Sequence, residues 1–296
     1  MFTLNNIQIC IDFSEVKMNE KITELKKIAT DIRLGAVEAV FNAKSGHPGG
    51  ALSSADMLAC LYFAEMKIDP KDPKNPDRDR FVLSKGHSCP GLYSTLALRG
   101  YFDAKELKSF RHTGALLQGH PDMKAIPGVD MSAGSLGQGF SCACGMALSA
   151  KISGKDYRTY TLIGDGESQE GQVWEAVMFA AHYKLDNLCL LIDNNGLQID
   201  GKVSEVMNTM PYESKLEAFG WNVITVDGHN IEEILSALAR AKEVKGKPTA
   251  IVAKTVKGKG VSFMENQAGW HGKAPDEAQY NQAVAELTEY KNGLEA

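Results

Sequence analysis

Five short apolar runs recur along the chain: F-V-L-S at 81–84, Y-T-L-I at 160–163, N-L-C-L-L-I-D at 187–193, W-N-V-I-T-V-D at 221–227 and T-A-I-V-A-K-T-V at 249–256. They are rich in leucine and β-branched residues and lack the strict alternation of a strand with one wet face, so they are expected to be apolar on both sides. Helical patterns at about 137–153, 169–184 and 230–243 fall between them. Strand, helix and strand repeated in this way predict an α/β fold, a parallel β-sheet with helices on both faces. Ligands of such sheets bind beyond the carboxyl ends of the strands.

Outside those runs, Ile22, Leu25, Ile28, Ile32, Val37 and Val40 fall at helical spacing over 21–43, and the pattern stops at the glycine- and proline-bearing S-G-H-P-G-G of 45–50. A second apolar segment, 51–66, precedes I-D-P-K-D-P-K-N-P-D-R-D-R, which reads as a surface loop. A further helix with a frayed end is expected over 274–296. Residues 21–296 therefore read as one domain and 1–20 as an amino-terminal extension, with Met18 an alternative start to Met1. Asp12 and Glu15 interrupt any signal-peptide core, and no stretch reaches the roughly 18 apolar residues of a membrane span, so a cytoplasmic protein is expected. A net charge of -5 without blocks of like charge argues against nucleic acid or an anionic membrane as partner. The six cysteines are scattered and lack zinc-site spacing, which predicts reduced thiols.

One segment asks for chemistry. L-I-G-D-G-E-S-Q-E-G, at 162–171, sets Asp165 between two glycines at the end of a predicted strand. Alone, this is an ordinary turn more often than a site. The next strand, however, ends in Asp193-Asn194-Asn195-Gly196-Leu197, and Asn195 follows Asp165 by 30 residues. One crossover takes about that length, so the two residues are expected at the tips of adjacent strands. A carboxylate, an amide oxygen and a nearby backbone carbonyl are hard donors that suit Mg²⁺ or Ca²⁺, with phosphate oxygens completing the shell.

The stretch 164–201, G-D-G through D-N-N-G-L-Q-I-D-G, resembles the thiamine diphosphate motif in the form typical of transketolases. The resemblance implies that Asp165, the Asn195 side chain and the Leu197 carbonyl bind Mg²⁺, with Ca²⁺ or Mn²⁺ able to substitute. Gly166 and Glu167 would contribute to cofactor binding. Four histidines sit in settings similar to family active-site segments: His47 in S-G-H-P-G, His87 in S-K-G-H, His120 in Q-G-H-P and His271 in W-H-G-K-A-P. By that likeness His47 and His271 contact substrate hydroxyls and the aldehyde oxygen, His87 and His271 lie beside the diphosphate, and His120 meets a donor hydroxyl. His112, His182 and His229 match nothing catalytic. S-A-G-S-L-G-Q-G at 132–139 resembles a helix start that contacts the thiazolium, through Gly134, Ser135 and Leu136, although the family more commonly has proline where Ser135 stands. Glu170 is similar to an acidic residue at the family's subunit interface, and equally suits a helix amino terminus. K-G-K-G at 257–260 resembles a mobile loop near the cofactor; a solvated loop explains it as well.

The resemblance covers the diphosphate-binding half of a transketolase. The family's pyrimidine-binding domain, with the glutamate that activates the cofactor, is not in this sequence. This implies the amino-terminal subunit of a two-component transketolase, which forms an α2β2 heterotetramer with a carboxy-terminal partner subunit, is active only with it, and moves a two-carbon ketol unit between sugars or sugar phosphates. Two alternatives remain: a subunit of another thiamine diphosphate enzyme, such as a deoxysugar phosphate synthase or 2-oxo acid dehydrogenase, or a catalytically silent assembly subunit.

Overall fold

The computed structural model describes residues 13–294; Met1, Cys10, Asp12 and the rest of the first twelve residues lie outside that range. In chain order the strands are β1 (Arg80–Leu83), β2 (Thr159–Gly164), β3 (Leu188–Asn194), β4 (Leu197–Gln198), β5 (Gly201–Lys202), β6 (Asn222–Asp227) and β7 (Thr249–Lys254). The helices are α1 (Phe13–Ala43), α2 (Pro48–Ser53), α3 (Ala55–Cys60), α4 (Cys89–Arg99), α5 (Gln138–Ile152), α6 (Gly171–His182), α7 (Val203–Val206), α8 (Tyr212–Ala218), α9 (Ile231–Glu243) and α10 (Glu277–Gly293). β1, β2, β3, β7 and β6 form, in that order, a parallel sheet, while β4 and β5 make a small antiparallel hairpin.

Successive side chains of the sheet enter opposite cores, as the period of a strand requires. Phe81, Tyr160, Leu162, Cys189, Leu191, Ile251 and Ala253 face the core built with α1, α3, α4 and α9. Val82, Ile163, Leu190, Ile192, Ala250 and Val252 face the one built with α5, α6 and α8. This double burial explains the unbroken apolar runs. β6 departs from it: Thr225 and Asp227 are exposed, because β6 is an edge strand whose second face is only partly covered. A third cluster, around Val37, Leu52, Val261, Met264, Trp270 and Leu287, fastens α10 and the segment after β7 to α1. Asp276 starts α10 with a reciprocal cap, accepting from Gln279 N while the Gln279 side chain accepts from Asp276 N.

Helix α1 begins upstream of the apolar pattern that predicts it. Residues 17–20 are helical but exposed, so the helix there has no buried stripe for periodicity to register. The 51–66 segment resolves into α2, α3 and a closing wide turn over 61–65. Of the five described cysteines, Cys60, Cys89, Cys144 and Cys189 are buried and Cys142 is half-buried, and all five are free thiols. No helix among the described residues is long and apolar enough to cross a membrane.

Beneath the sheet's carboxyl edge lies a buried polar knot. Arg33 of α1 grips both carboxylate oxygens of Asp56 in α3 and donates through Nε to Leu52 O (3.1 Å). His229 Nδ1 approaches Asp56 Oδ2 at 2.7 Å, and its Nε2 accepts from Val256 N at 2.8 Å. Replacing one member of a buried pair leaves the other unpaired, which costs about 3–5 kcal/mol. Arg33→Leu is accordingly expected to lower the unfolding free energy in urea by about that amount, and a loss under about 1 kcal/mol would show the pair to be dispensable.

Candidate active site

The site forms where four parallel strands end. β1 runs out into Ser84-Lys85-Gly86-His87, β2 into Asp165-Gly166-Glu167, β3 into Asn195, and β7 into Thr255-Val256-Lys257. β2 and β3 are neighbours with Gly164 paired to Asp193, so Asp165 and Asn195 leave adjacent strand tips as the spacing predicts. A cavity of about 420 Å³ opens there. His47, His87, His120 and His271 line it, as do Gly134, Leu136, Asp165, Gly166, Glu167, Asn195 and Leu197. Of the candidate residues only Ser135 is outside the lining; it is exposed and accepts from Gln138 Nε2 at 3.2 Å.

Asp165 is 1% exposed, and no lysine or arginine among the described residues pairs with it. Its neighbours are neutral donors: Asn194 Nδ2 (2.9 Å) and Tyr212 OH (2.8 Å) on Oδ1, and Gly196 N (2.5 Å) on Oδ2. Burial without a cation pushes its carboxyl up to about 6, against the pull of those hydrogen bonds. The Gly196 contact folds the Asn195–Leu197 turn over the carboxylate. Asn195 Oδ1 accepts from Leu197 N (3.1 Å), which leaves that amide oxygen further acceptor capacity. A buried carboxylate lacking a counter-charge beside hard oxygen donors fits a divalent cation. Among the described residues no three His, Cys, Asp or Glu side chains are placed to hold a metal; the candidate donors are instead one carboxylate, one amide and one backbone carbonyl.

The second glycine of G-D-G serves close approach rather than an unusual backbone angle. A Cβ on Gly166 would lie 3.0 Å from Gln198 Cβ, on the β4–β5 hairpin. The α6 helix also begins later than its pattern suggests: a short 3-10 turn over Glu167–Gln169 intervenes, and exposed Glu170 becomes the residue before the helix, making no capping bond. Glu167 is 2% exposed and braces the site from behind. It accepts from Ser84 Oγ, from Gly137 N (2.9 Å) and from Gly164 N (3.3 Å). Burial raises its carboxyl to about 7 despite these donors. Gly137 begins α5 at φ +82, a left-handed conformation that favours glycine, and this turns its N–H toward Glu167.

Several site residues escape the sequence reading. Lys85 and Asp193 form a fully buried ion pair at 2.5 Å; Lys85 also donates to Gly50 O (2.8 Å), and Asp193 accepts from Ser53 Oγ (2.6 Å), Thr255 Oγ1 and Asn195 Nδ2 (3.2 Å). The lysine of S-K-G-H and the first aspartate of D-N-N were the available signals. Lys257 is 3% exposed and lies 2.9 Å, Nζ to Nδ1, from His271, so the first lysine of K-G-K-G is interior rather than solvated. Burial lowers its ammonium to about 8. His229 is structural, as expected, in the knot with Asp56.

Three imidazoles stand in a triangle, with ring centroids 5.2 Å apart for His47 and His87, 5.3 Å for His47 and His271, and 5.0 Å for His87 and His271. Burial, then neighbouring cations, lowers all three: His47 to about 4 through burial and Arg111, His271 to about 3 through burial and Lys257, and His87 well below the usual range. His120 is exposed, packs beside Gly134, and is lowered by desolvation and Arg111. The triangle is therefore neutral near pH 7, able to accept protons at one nitrogen and donate at the other. The His47 Nδ1 atom is buried and has no hydrogen-bond partner.

The fold and these donors define a thiamine diphosphate-binding α/β domain, and comparison with known proteins agrees. Residues 24–291 match the family model described as transketolase, thiamine diphosphate binding domain. The chain belongs to the transketolase family. It is 48% identical to the 6-deoxy-6-sulfo-D-fructose transketolase subunit SqwG of Clostridium sp. (strain MSTE9), over 91% of this chain and 98% of that one. It is 43% identical to one of the subunits of apulose-4-phosphate transketolase from Phocaeicola vulgatus, over 88% and 92%. Against human transketolase the identity is 43% over 90% of this chain but 42% of that protein. Among solved structures, transketolase from Campylobacter jejuni superposes with a TM-score of 0.84 at 36% identity, over 89% of this chain and 42% of the other. The chain thus spans less than half of these one-chain transketolases and nearly all of two relatives named as subunits.

Linkage gives the pH test of the histidine triangle. His47 has a lowered folded pKa, so between about 6.5 and 4 the unfolded chain binds its proton first, and the stability that neutral His47 contributes is lost as pH falls through that window. Chemical-shift titration should keep the His47 and His271 rings neutral down to at least pH 6, and His47→Asn should flatten the decline of Tm between pH 6.5 and 4. An imidazole of the triangle titrating at its ordinary value would refute the assignment.

Proposed function

We propose that this chain is the diphosphate-binding subunit of a two-component, cytoplasmic transketolase that moves a two-carbon ketol unit from a ketose or its phosphate to an aldose or its phosphate. The observation that carries the reading is the Asp165–Gly196 contact, which gathers a buried unpaired carboxylate and the Asn195–Leu197 turn at one cavity. Asp165, Asn195 Oδ1 and the Leu197 carbonyl would hold Mg²⁺, and Gly166, Glu167, Asn195, His87, His271 and the Gly134–Leu136 segment would surround the cofactor. Thiamine diphosphate, when bound, supplies a nucleophilic thiazolium carbon and an electron sink for cleavage of the sugar's C2–C3 bond.

This chain's own part is binding, orientation and proton handling. Neutral His47 and His271 would hold the substrate's hydroxyl and carbonyl oxygens, and His120, at the exposed side, would meet a donor hydroxyl. Each proton relay of this kind is typically worth about 10² to 10⁴ in rate. Lys257 keeps a positive charge beside His271, suited to phosphate oxygens near the ring. Free thiols fit a reducing compartment. The names of the two relatives that the chain matches nearly end to end support a separate partner, for which we propose a carboxy-terminal subunit with the pyrimidine-binding domain and an α2β2 assembly.

The decisive experiment co-expresses the chain with a candidate partner and assays ketol transfer from several ketoses, with and without thiamine diphosphate and Mg²⁺. Activity requiring both chains, the cofactor and the cation is expected. Asp165→Ala should abolish cation-dependent cofactor binding while leaving the fold intact by circular dichroism. Oxidation of a 2-oxo acid without ketol transfer would instead identify another thiamine diphosphate enzyme, and a complex that binds no cofactor would identify an assembly subunit.

A further inference from the structure

The hydrogen bonds around Asp165 say more than that a cation fits. An ionised carboxylate offers about four lone-pair positions, two on each oxygen. Oδ1 accepts from Asn194 Nδ2 at 2.9 Å and from Tyr212 OH at 2.8 Å, which fills it. Oδ2 accepts only Gly196 N, at 2.5 Å. One position therefore remains open, on Oδ2.

The direction of the tyrosine bond is fixed by its neighbours. Ser168 Oγ donates to Asp165 O at 2.6 Å, which uses its single proton. Thr209 Oγ1 lies 2.9 Å from Ser168 Oγ and 3.0 Å from Tyr212 OH, while Ser168 Oγ and Tyr212 OH are 2.8 Å apart. With Ser168 committed to the backbone and Asp165 able only to accept, the Tyr212 proton points at Oδ1. Tyr212, the first residue of α8, is 1% exposed, and its ring packs in the core shared by α5, α6 and the sheet. Nothing in the proposed chemistry uses it.

We propose that Tyr212 is a positioning residue of the cation site: by occupying Oδ1 it confines Asp165 to one-oxygen ligation through Oδ2. This rests on the reading of Asp165 as a cation ligand. Single-oxygen ligation suits Mg²⁺, which demands near-octahedral geometry, whereas Ca²⁺ readily takes a carboxylate by both oxygens. Tyr212 therefore sets which cation the site prefers, acting through Asp165 without touching the ion.

The test measures Mg²⁺ and Ca²⁺ affinity by competition against Mn²⁺, followed by electron paramagnetic resonance, with thiamine diphosphate present. It uses the full chain, alone and co-purified with its proposed partner. Tyr212→Phe keeps the ring and removes the donor. It should weaken Mg²⁺ binding by about tenfold or more, the usual cost of losing an outer-shell partner, and Ca²⁺ binding clearly less. Thr209→Val, which does not touch Asp165, should shift the preference in the same direction by a smaller factor, and it carries the test if Tyr212→Phe fails to fold. Mg²⁺ affinity unchanged in Tyr212→Phe, or an equal loss for both cations, overturns the proposal while the ligand reading stands. A wild-type protein that binds neither cation removes the ligand reading and this inference together.

Discussion

The buried ion pair between Lys85 and Asp193 is the joint on which the site hangs. It ties the end of β1 to the end of β3, and its outer hydrogen bonds reach α2 through Gly50 O and Ser53 Oγ and the end of β7 through Thr255. Two charges in an interior cost more to desolvate than their attraction returns unless each is further satisfied, and here each is. Asp193 also receives Asn195 Nδ2, so the pair aims the turn that carries the candidate cation donors. Burial opposes the ionised form of Asp193, but Lys85 holds its carboxyl below the usual range, whereas Asp165, at the adjacent tip and without such a partner, is pushed up. The protein neutralises one of two neighbouring carboxylates with its own side chain and leaves the other, among the described residues, without a counter-charge.

The histidine triangle follows from the same burial. Three imidazoles about 5 Å apart beside Lys85 and Lys257 cannot all carry charge, so they are held neutral. An arriving polyanion would favour the charged forms of these groups. Proton inventory and ligand occupancy are then linked, with Lys257 closest to the balance point at about 8.

The sheet was legible because burial on both faces writes itself as continuous apolar runs, and Asp165 and Asn195 were legible because one crossover separates them. Local sequence carries both signals. What it did not carry is long-range. Nothing near Tyr212 marks a hydroxyl that reaches back 47 positions to Asp165, or joins Ser53 to Asp193 over 140. K-G-K-G at 257–260 suited a solvated loop as well as a loop near the cofactor, and the fold carries Lys257 into the interior. The early start of α1 was invisible for the opposite reason: residues 17–20 are exposed, and periodicity reports burial rather than helix.

β1, at one rim of the sheet, is four residues long, and the proline-rich loop before it folds back on this margin. Arg78 and Arg80 turn their guanidinium groups inward to the loop's carbonyls, those of Pro73, Asp79, Asn75, Arg78 and Pro76. Exposed strand margins invite strand addition from other molecules, and short, charged, proline-flanked ones resist it. A rim strand this short, begun by a charged residue and preceded by prolines, offers another molecule's strand little to pair with.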